Sequence, residues 1–304
     1  MIIKYDKRKI GLLMAISSTI FWGFSGNVTQ YMFQISNVDA LTVVTLRLLI
    51  SGFILSLFAL ISGYKDTFVK IFKDKNSTKN IFIFTIFGMV GTQLSFFSAI
   101  ENSNAAVATL LQFLAPLFVI FYYSIKQKKL PTKVEVFATF LALIGTFFII
   151  TNGNLNSLTI SKLGLFWGVL SALSLSFYMI FAKKLFVWSS KVTVGLSMLL
   201  GGIILFIFLP NKNFFHFFAD IRVLLAFSFN IIFGTILAFY FFIESLRYIS
   251  AKEVSILSSC EPLTALIVSI IFLHTPFGIY QIIGSIIIII VISILAIYGN
   301  KKTK

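Results

Sequence analysis

Residues 102–117, NSNAAVATLLQFLAPL, align without a gap with residues 248–263, YISAKEVSILSSCEPL, at an offset of 146 positions. Ala105 meets Ala251, Leu111 meets Leu257, and Pro116-Leu117 meets Pro262-Leu263. The same offset brings Phe87-Gly88 onto Phe233-Gly234 and Phe96 onto Phe242. Nearer the N-terminus, at a different offset, Gly11 and Ser18 fall on Gly164 and Ser171. The chain therefore reads as two copies of one unit.

The unit is a set of membrane spans. Apolar residues make up 58% of the 304 positions, more than one soluble core can bury. Runs of bilayer-crossing length recur along the whole chain. They are expected near Ile10–Met32, Ala40–Ser62, Asn80–Ile100, Ala105–Ser124, Val134–Ile150, Ser161–Ala182, Thr193–Pro210, Arg222–Leu246, Lys252–Leu273 and Phe277–Tyr298. These runs are continuous and do not alternate apolar with polar, which predicts helices and not a barrel. The expected fold is an all-α integral membrane protein: a single membrane domain over 1–304, with five-helix repeats at 10–150 and 161–298 around a central cavity. Because five is odd, the second copy must cross the membrane in the opposite sense to the first. Inverted repeats of this kind are a recurring plan of secondary transporters, with sites near the midplane at broken helices.

The formal charge of +15 raises the question of nucleic acid, and the positions of the basic residues answer it. Of 25 Lys and Arg residues, 21 fall before the first span, after the last, or in connections that share one face. Lys162, Lys212 and Arg222 fall on the other face, and Arg47 lies within a span. The positive-inside rule then places both termini in the cytoplasm of a cell that carries the protein in its plasma membrane. The first span is expected to be retained, being too long for a secretory signal and lacking a small-residue cleavage site. Cys260 is the only cysteine, so no intrachain disulfide forms, and His216 and His274 lack the grouping of a metal site. No nucleotide-binding loop is present, and no cofactor or nucleic-acid partner is expected.

Glu261 and Pro262 stand side by side in an otherwise apolar run. A charge at the centre of a spanning helix costs roughly 2.5–3.5 kcal/mol on insertion scales. A proline within a helix leaves the carbonyl four residues earlier without a donor. On that basis Pro116 is expected to free the Gln112 carbonyl and Pro262 that of Ser258, at two equivalent helix breaks. Ala105, Ala108, Thr109, Gln112 and Pro116 form one small and polar stripe at helical spacing. Ala251, Ser255, Ser258 and Pro262, with Glu261 alongside, form its counterpart. Glu261 replaces what is only Ala115 in the other half. Small residues at these positions also serve close helix packing, which does not account for Gln112 or Glu261.

The chain resembles the EamA-type branch of the drug/metabolite transporter superfamily over nearly its full length. FWGFSGN (21–27), SFYMIFAKKL (176–185) and SLRYISA (245–251), leading to Glu261-Pro262, carry the resemblance. It implies a cavity lined by the first, third, fourth, sixth, eighth and ninth spans, alternating access, and transport of small metabolites, often export of amino acids. ENSNAA (101–106) departs from the pattern, since relatives often carry a basic residue in place of Glu101. The expected substrate contacts are Trp22, Asn27, Gln93, Gln112, Tyr178, Tyr240, Ser258 and Glu261. Arg47, Glu244, Glu261, Pro116 and Pro262 are the expected coupling or gating residues. Arg47, seven residues into its span, fits either an interfacial anchor or a partner for an acidic group or anionic substrate.

The leading expectation is a secondary active or facilitative transporter of small polar metabolites, an exporter of amino acids or related compounds. Its partners are substrate, lipid bilayer and a coupling proton or other ion, and it acts as a monomer or weak homodimer. Import of an organic cation such as a quaternary amine, held by aromatic rings and Glu261, is the alternative within transport. An integral membrane enzyme acting on lipids is the alternative of another class. The connections at 101–104 and 273–276 offer it no grouped catalytic residues.

Overall fold

In a computed structural model, residues 2–128, 130–154, 160–185, 187–209, 219–245, 248–249, 257–258 and 260–298 are described, with no strand among them. Among the described residues, seven helical stretches are long and apolar enough to cross a membrane: Lys7–Ile35, Ala40–Ile61, Lys75–Glu101, Ala105–Gln127, Lys162–Ala182, Ser190–Phe208 and Ile221–Phe242. In chain order the helices are α1 (Ile2–Ile35), α2 (Ala40–Ile61), α3 (Lys65–Lys73), α4 (Lys75–Ile83), α5 (Gly91–Glu101), α6 (Ala105–Gln112) and α7 (Ala115–Gln127). They continue as α8 (Lys133–Thr151), α9 (Lys162–Ala182), α10 (Ser190–Phe208), α11 (Ile221–Ile231), α12 (Ala238–Ser245), α13 (Cys260–Ile271) and α14 (Ile279–Tyr298).

Short polar side chains set the helix starts. Asp39 accepts the Thr42 amide at 2.7 Å ahead of α2, and Asn104 accepts the Val107 amide at 2.9 Å ahead of α6. Thr132 and Glu135 form a reciprocal capping box on α8, satisfying two amides that the first turn leaves without acceptors. Such caps explain why apolar runs begin where they do and not a turn earlier or later.

Glycine brings two pairs of long helices together. A Cβ on Gly52 of α2 would strike the Leu199 amide of α10, and one on Gly202 would come within 2.6 Å of the Leu49 amide. The two contacts are reciprocal at an offset of 150. A Cβ on Gly145 of α8 would lie 3.0 Å from the Gly284 carbonyl oxygen of α14, and one on Gly284 2.5 Å from that of Gly145. Without a hydrophobic driving force between helices in lipid, such close backbone approach supplies the attraction.

Two crossings contain π-helical turns. A π-helical segment, Phe84–Val90, joins α4 to α5, and another, Ile232–Leu237, joins α11 to α12. Phe87-Gly88 and Phe233-Gly234, aligned by the sequence repeat, lie inside these segments.

The proline positions correct the sequence reading. α6 stops at Gln112, where the Phe113 amide bonds the Thr109 carbonyl at 3.0 Å and the Leu114 amide that of Leu111 at 3.1 Å. Pro116 is then the second residue of α7, and Pro262 the third of α13. Both stand in a first turn, where an amide N–H would have no intrahelical acceptor, so a proline there costs little. The Ser258 carbonyl is not free, since it accepts the Glu261 amide at 3.1 Å. Ala251 and Ser255 of the second stripe lie outside the described residues. Lys128 and His274, 146 positions apart, both adopt left-handed backbone, with φ of 52° and 48°, beyond the ends of α7 and α13.

Candidate functional site

Glu261 occupies the first turn of α13 and is buried, with 8% of its surface exposed. Among the described residues no hydrogen bond or ion pair reaches its carboxylate. Its backbone is pressed against α1, where a Cβ on Gly23 would lie 2.7 Å from the Glu261 carbonyl oxygen. The equivalent crossing in the other half is made by a hydrogen bond, Ser176 Oγ donating to the Ala115 carbonyl at 2.8 Å. The two crossings match in place and differ in the side chain presented, a carboxylate against a methyl group.

One turn along α1 from Gly23, Asn27 uses its whole amide. Nδ2 donates to the Gly23 carbonyl at 2.9 Å and the Ala265 carbonyl at 3.1 Å, while Oδ1 accepts from Ser269 Oγ at 2.8 Å. Asn27 therefore ties α1 to α13 through both of its N–H donors and one acceptor site. Gln112 on α6 and Gln93 on α5 are both buried, and no hydrogen bond to either side chain is found among the described residues. α6 packs against both α1 and α13, which brings the Gln112 helix and the Glu261 helix to one junction. Ser258 is half-buried one turn before Pro262.

Arg47 lies elsewhere. It is 3% exposed, so it is an interior residue and not an interfacial anchor. Nε donates to Thr235 Oγ1, Nη2 donates to the Gly234 carbonyl at 2.9 Å, and Cζ stands 4.6 Å from the Phe97 ring centroid. Thr235 Oγ1 in turn donates to the Asn230 carbonyl at 2.9 Å. Asn230 Nδ2 reaches Thr29 Oγ1 at 3.1 Å, and its Oδ1 accepts from Ser25 Oγ. A polar chain thus runs from α2 through the π segment of the eighth predicted span to α1. Among the described residues Arg47 has no acidic partner, and no Arg47–Glu261 pair forms.

The aromatic candidates do not enclose one space. Trp22 packs on Phe239 and Phe242 with centroids 5.1 and 5.0 Å apart, and Tyr178 packs on Phe84 at 4.7 Å. Tyr240 and Glu244 line a shallow cleft of about 20 Å³ with Lys191, Phe239, Leu55 and Val194. Glu101 accepts the Ala40 amide at 3.3 Å, a local task at the start of α2 that accounts for an acid at this position.

Sequence reasoning missed Ser25, Thr29 and Gln30. Gln30 joins three elements, donating to Thr275 Oγ1 at 3.2 Å and accepting the Ala105 amide at 2.8 Å. Their signal was the density of polar side chains at i and i+4 within GFSGNVTQ (23–30), a stretch read mainly for Asn27.

The profile of the EamA-like transporter family matches residues 9–151 and again residues 162–297. The chain belongs to the EamA-like transporter family. It is 32% identical over 295 residues to YicL, an inner membrane transporter of Salmonella typhimurium, covering 97% of each chain. It is 25% identical over 292 residues to the transporter YxxF of Bacillus subtilis, covering 94% of this chain and 89% of the relative. A solved crystal structure has the same fold at 14% identity, with a TM-score of 0.64 over 97% of this chain and 99% of its own. As an EamA-like protein with several apolar helices, the chain is a multi-pass membrane transporter and not an enzyme.

Proposed function

We propose that this transporter consists of two inverted five-helix repeats and moves small polar metabolites by alternating access. In this reading the ten expected spans and cytoplasmic termini hold, α8, α13 and α14 complete the set of crossings, and amino acids or related compounds are exported across the plasma membrane. Four features support the repeat. One family profile fits each half, and both π segments recur at equivalent places. Both helix breaks precede a proline, and the Gly52–Leu199 and Gly145–Gly284 contacts each join a helix to its counterpart.

The observation that carries the site is the buried Glu261 carboxylate, without a protein partner among the described residues, at a helix break where α1, α6 and α13 meet. A buried charge left unpaired is expensive, so it must serve a step in which it gains a partner. That partner is the cationic group of the substrate or a coupling proton. Gln112, on a helix that packs against α13, and Ser258 supply neutral polar groups. Import of a quaternary amine is less well supported, because Trp22 and Tyr178 are engaged with phenylalanine rings.

Glu261→Gln keeps the size and acceptor capacity and removes ionisation. In proteoliposomes challenged with a mixed metabolite pool, it is expected to abolish or uncouple transport while the protein inserts and folds. If Glu261 carries protons, the variant still exchanges substrate and ignores a pH gradient; if it binds a substrate cation, exchange fails. Unchanged transport and gradient response would sink the assignment.

A further inference from the structure

α3 is fastened at the edge of the bundle with one side turned outward. A three-residue connection separates it from α2, whose last two turns expose Leu57, Phe58, Leu60 and Ile61, so it lies level with the end of the apolar belt. Its inner side is fixed by Ile71, which is fully buried, and by Phe68, which packs on the core. Thr78 Oγ1 donates to the Ile71 carbonyl at 2.8 Å. Asp74, between the two helices, accepts the Ser77 amide at 3.0 Å, and Trp188 Nε1 donates to Ser77 Oγ at 3.0 Å. This short helix therefore presents a defined outer face.

At about 100° per residue, Lys65, Val69, Phe72 and Lys73 fall within one sector of roughly a quarter turn. All four are exposed, Phe72 by 49% and Val69 by 45%. A face that only met water would have no use for two large apolar side chains between two lysines. A protein groove would have to bury both ammonium groups. The boundary between headgroups and acyl chains accepts both kinds of side chain at once. Charge favours an anionic surface, since residues 65–79 hold five lysines against Asp66 and Asp74.

We propose that the outer face of α3 binds anionic phospholipid of the cytoplasmic leaflet, Lys65 and Lys73 holding headgroup phosphate while Val69 and Phe72 insert beside the acyl chains. The leaflet assignment rests on the topology proposed above; the binding face does not depend on transport.

The full-length protein is reconstituted in vesicles of phosphatidylcholine and phosphatidylglycerol, with bromine on the acyl chains of one lipid or the other at equal mole fraction. Phe72→Trp supplies a reporter, read as the difference from the unsubstituted protein, and Val69→Trp supplies a second on the same face. Brominated phosphatidylglycerol is expected to quench the added fluorescence about twofold more than brominated phosphatidylcholine. Adding Lys65→Gln and Lys73→Gln should bring that ratio to one while quenching persists. Equal quenching by the two lipids, no quenching by either, or loss of the preference when inorganic phosphate is added at matched ionic strength would overturn the proposal. A cysteine at Lys75, probed from outside intact cells, tests the leaflet separately. Labelling there together with a lipid preference would overturn the cytoplasmic placement and leave the transport reading to its own assay.

Discussion

Asn27 and Glu261 lie one helix contact apart and behave oppositely. The Asn27 amide is fully satisfied by Gly23, Ala265 and Ser269, whereas the Glu261 carboxylate meets no partner among the described residues. Asn27→Ala leaves the buried Ser269 hydroxyl without its acceptor and removes the tie to the Ala265 carbonyl, at a cost of about 1–2 kcal/mol. It should lower the thermal midpoint in detergent, while Glu261→Gln should leave that midpoint nearly unchanged and act on transport. Arg47 gives a third contrast. Its Nε and Nη2 bond two successive residues of one π segment, a fork that a lysine ammonium cannot reproduce. Arg47→Lys should therefore cost about 1–3 kcal/mol of stability, read as a lowered midpoint, although the charge is kept. The sequence marked all three residues by their type and depth. It could not sort them, because Asn27's role depends on Ala265 and Ser269, more than two hundred positions away.

Among the elements, helix starts set by a local cap were legible. Ala40 and Lys162 mark starts within one residue of those expected, because Asp39 and similar caps act locally. The interruptions were less so. Pro116 and Pro262 announced two breaks, but a proline is equally at home in a first turn and in a kink, and the sequence does not say which. The π segments carry no comparable mark, since widening a helical turn depends on what packs against it. At the eighth predicted span that neighbour is Ser25, which a Cβ on Gly234 would strike, while a Cβ on Gly88 would meet the Phe84 ring edge at 3.1 Å and the Tyr178 ring at 3.5 Å. Gly234→Ala is thus expected to disrupt the Ser25–Asn230 contact and destabilise the protein by about 1–3 kcal/mol, and Gly88→Ala clearly less. Equal midpoints for the two variants would mean that the π segments are not held by these contacts.

For the molecule as a whole, the proposed repeat could be read from the sequence at residues 87–117 and 233–263, which align at one offset, and one family profile matches residues 9–151 and again 162–297. The pairing of each self-related helix with its counterpart, α2 with α10 and α8 with α14, was not legible, because it depends on glycines whose partners lie in the other half. The claim on which transport by alternating access depends is that the halves are inverted. Lys128 and His274 test it together, as equivalent turns 146 positions apart with the same left-handed backbone. In a Cys260→Ser background, single cysteines at these two positions are exposed to a membrane-impermeant thiol reagent in intact cells and again after permeabilisation. The cysteine at His274 should react in intact cells and the one at Lys128 only after permeabilisation. Reaction of both from the same side would contradict the inversion, and with it the mechanism.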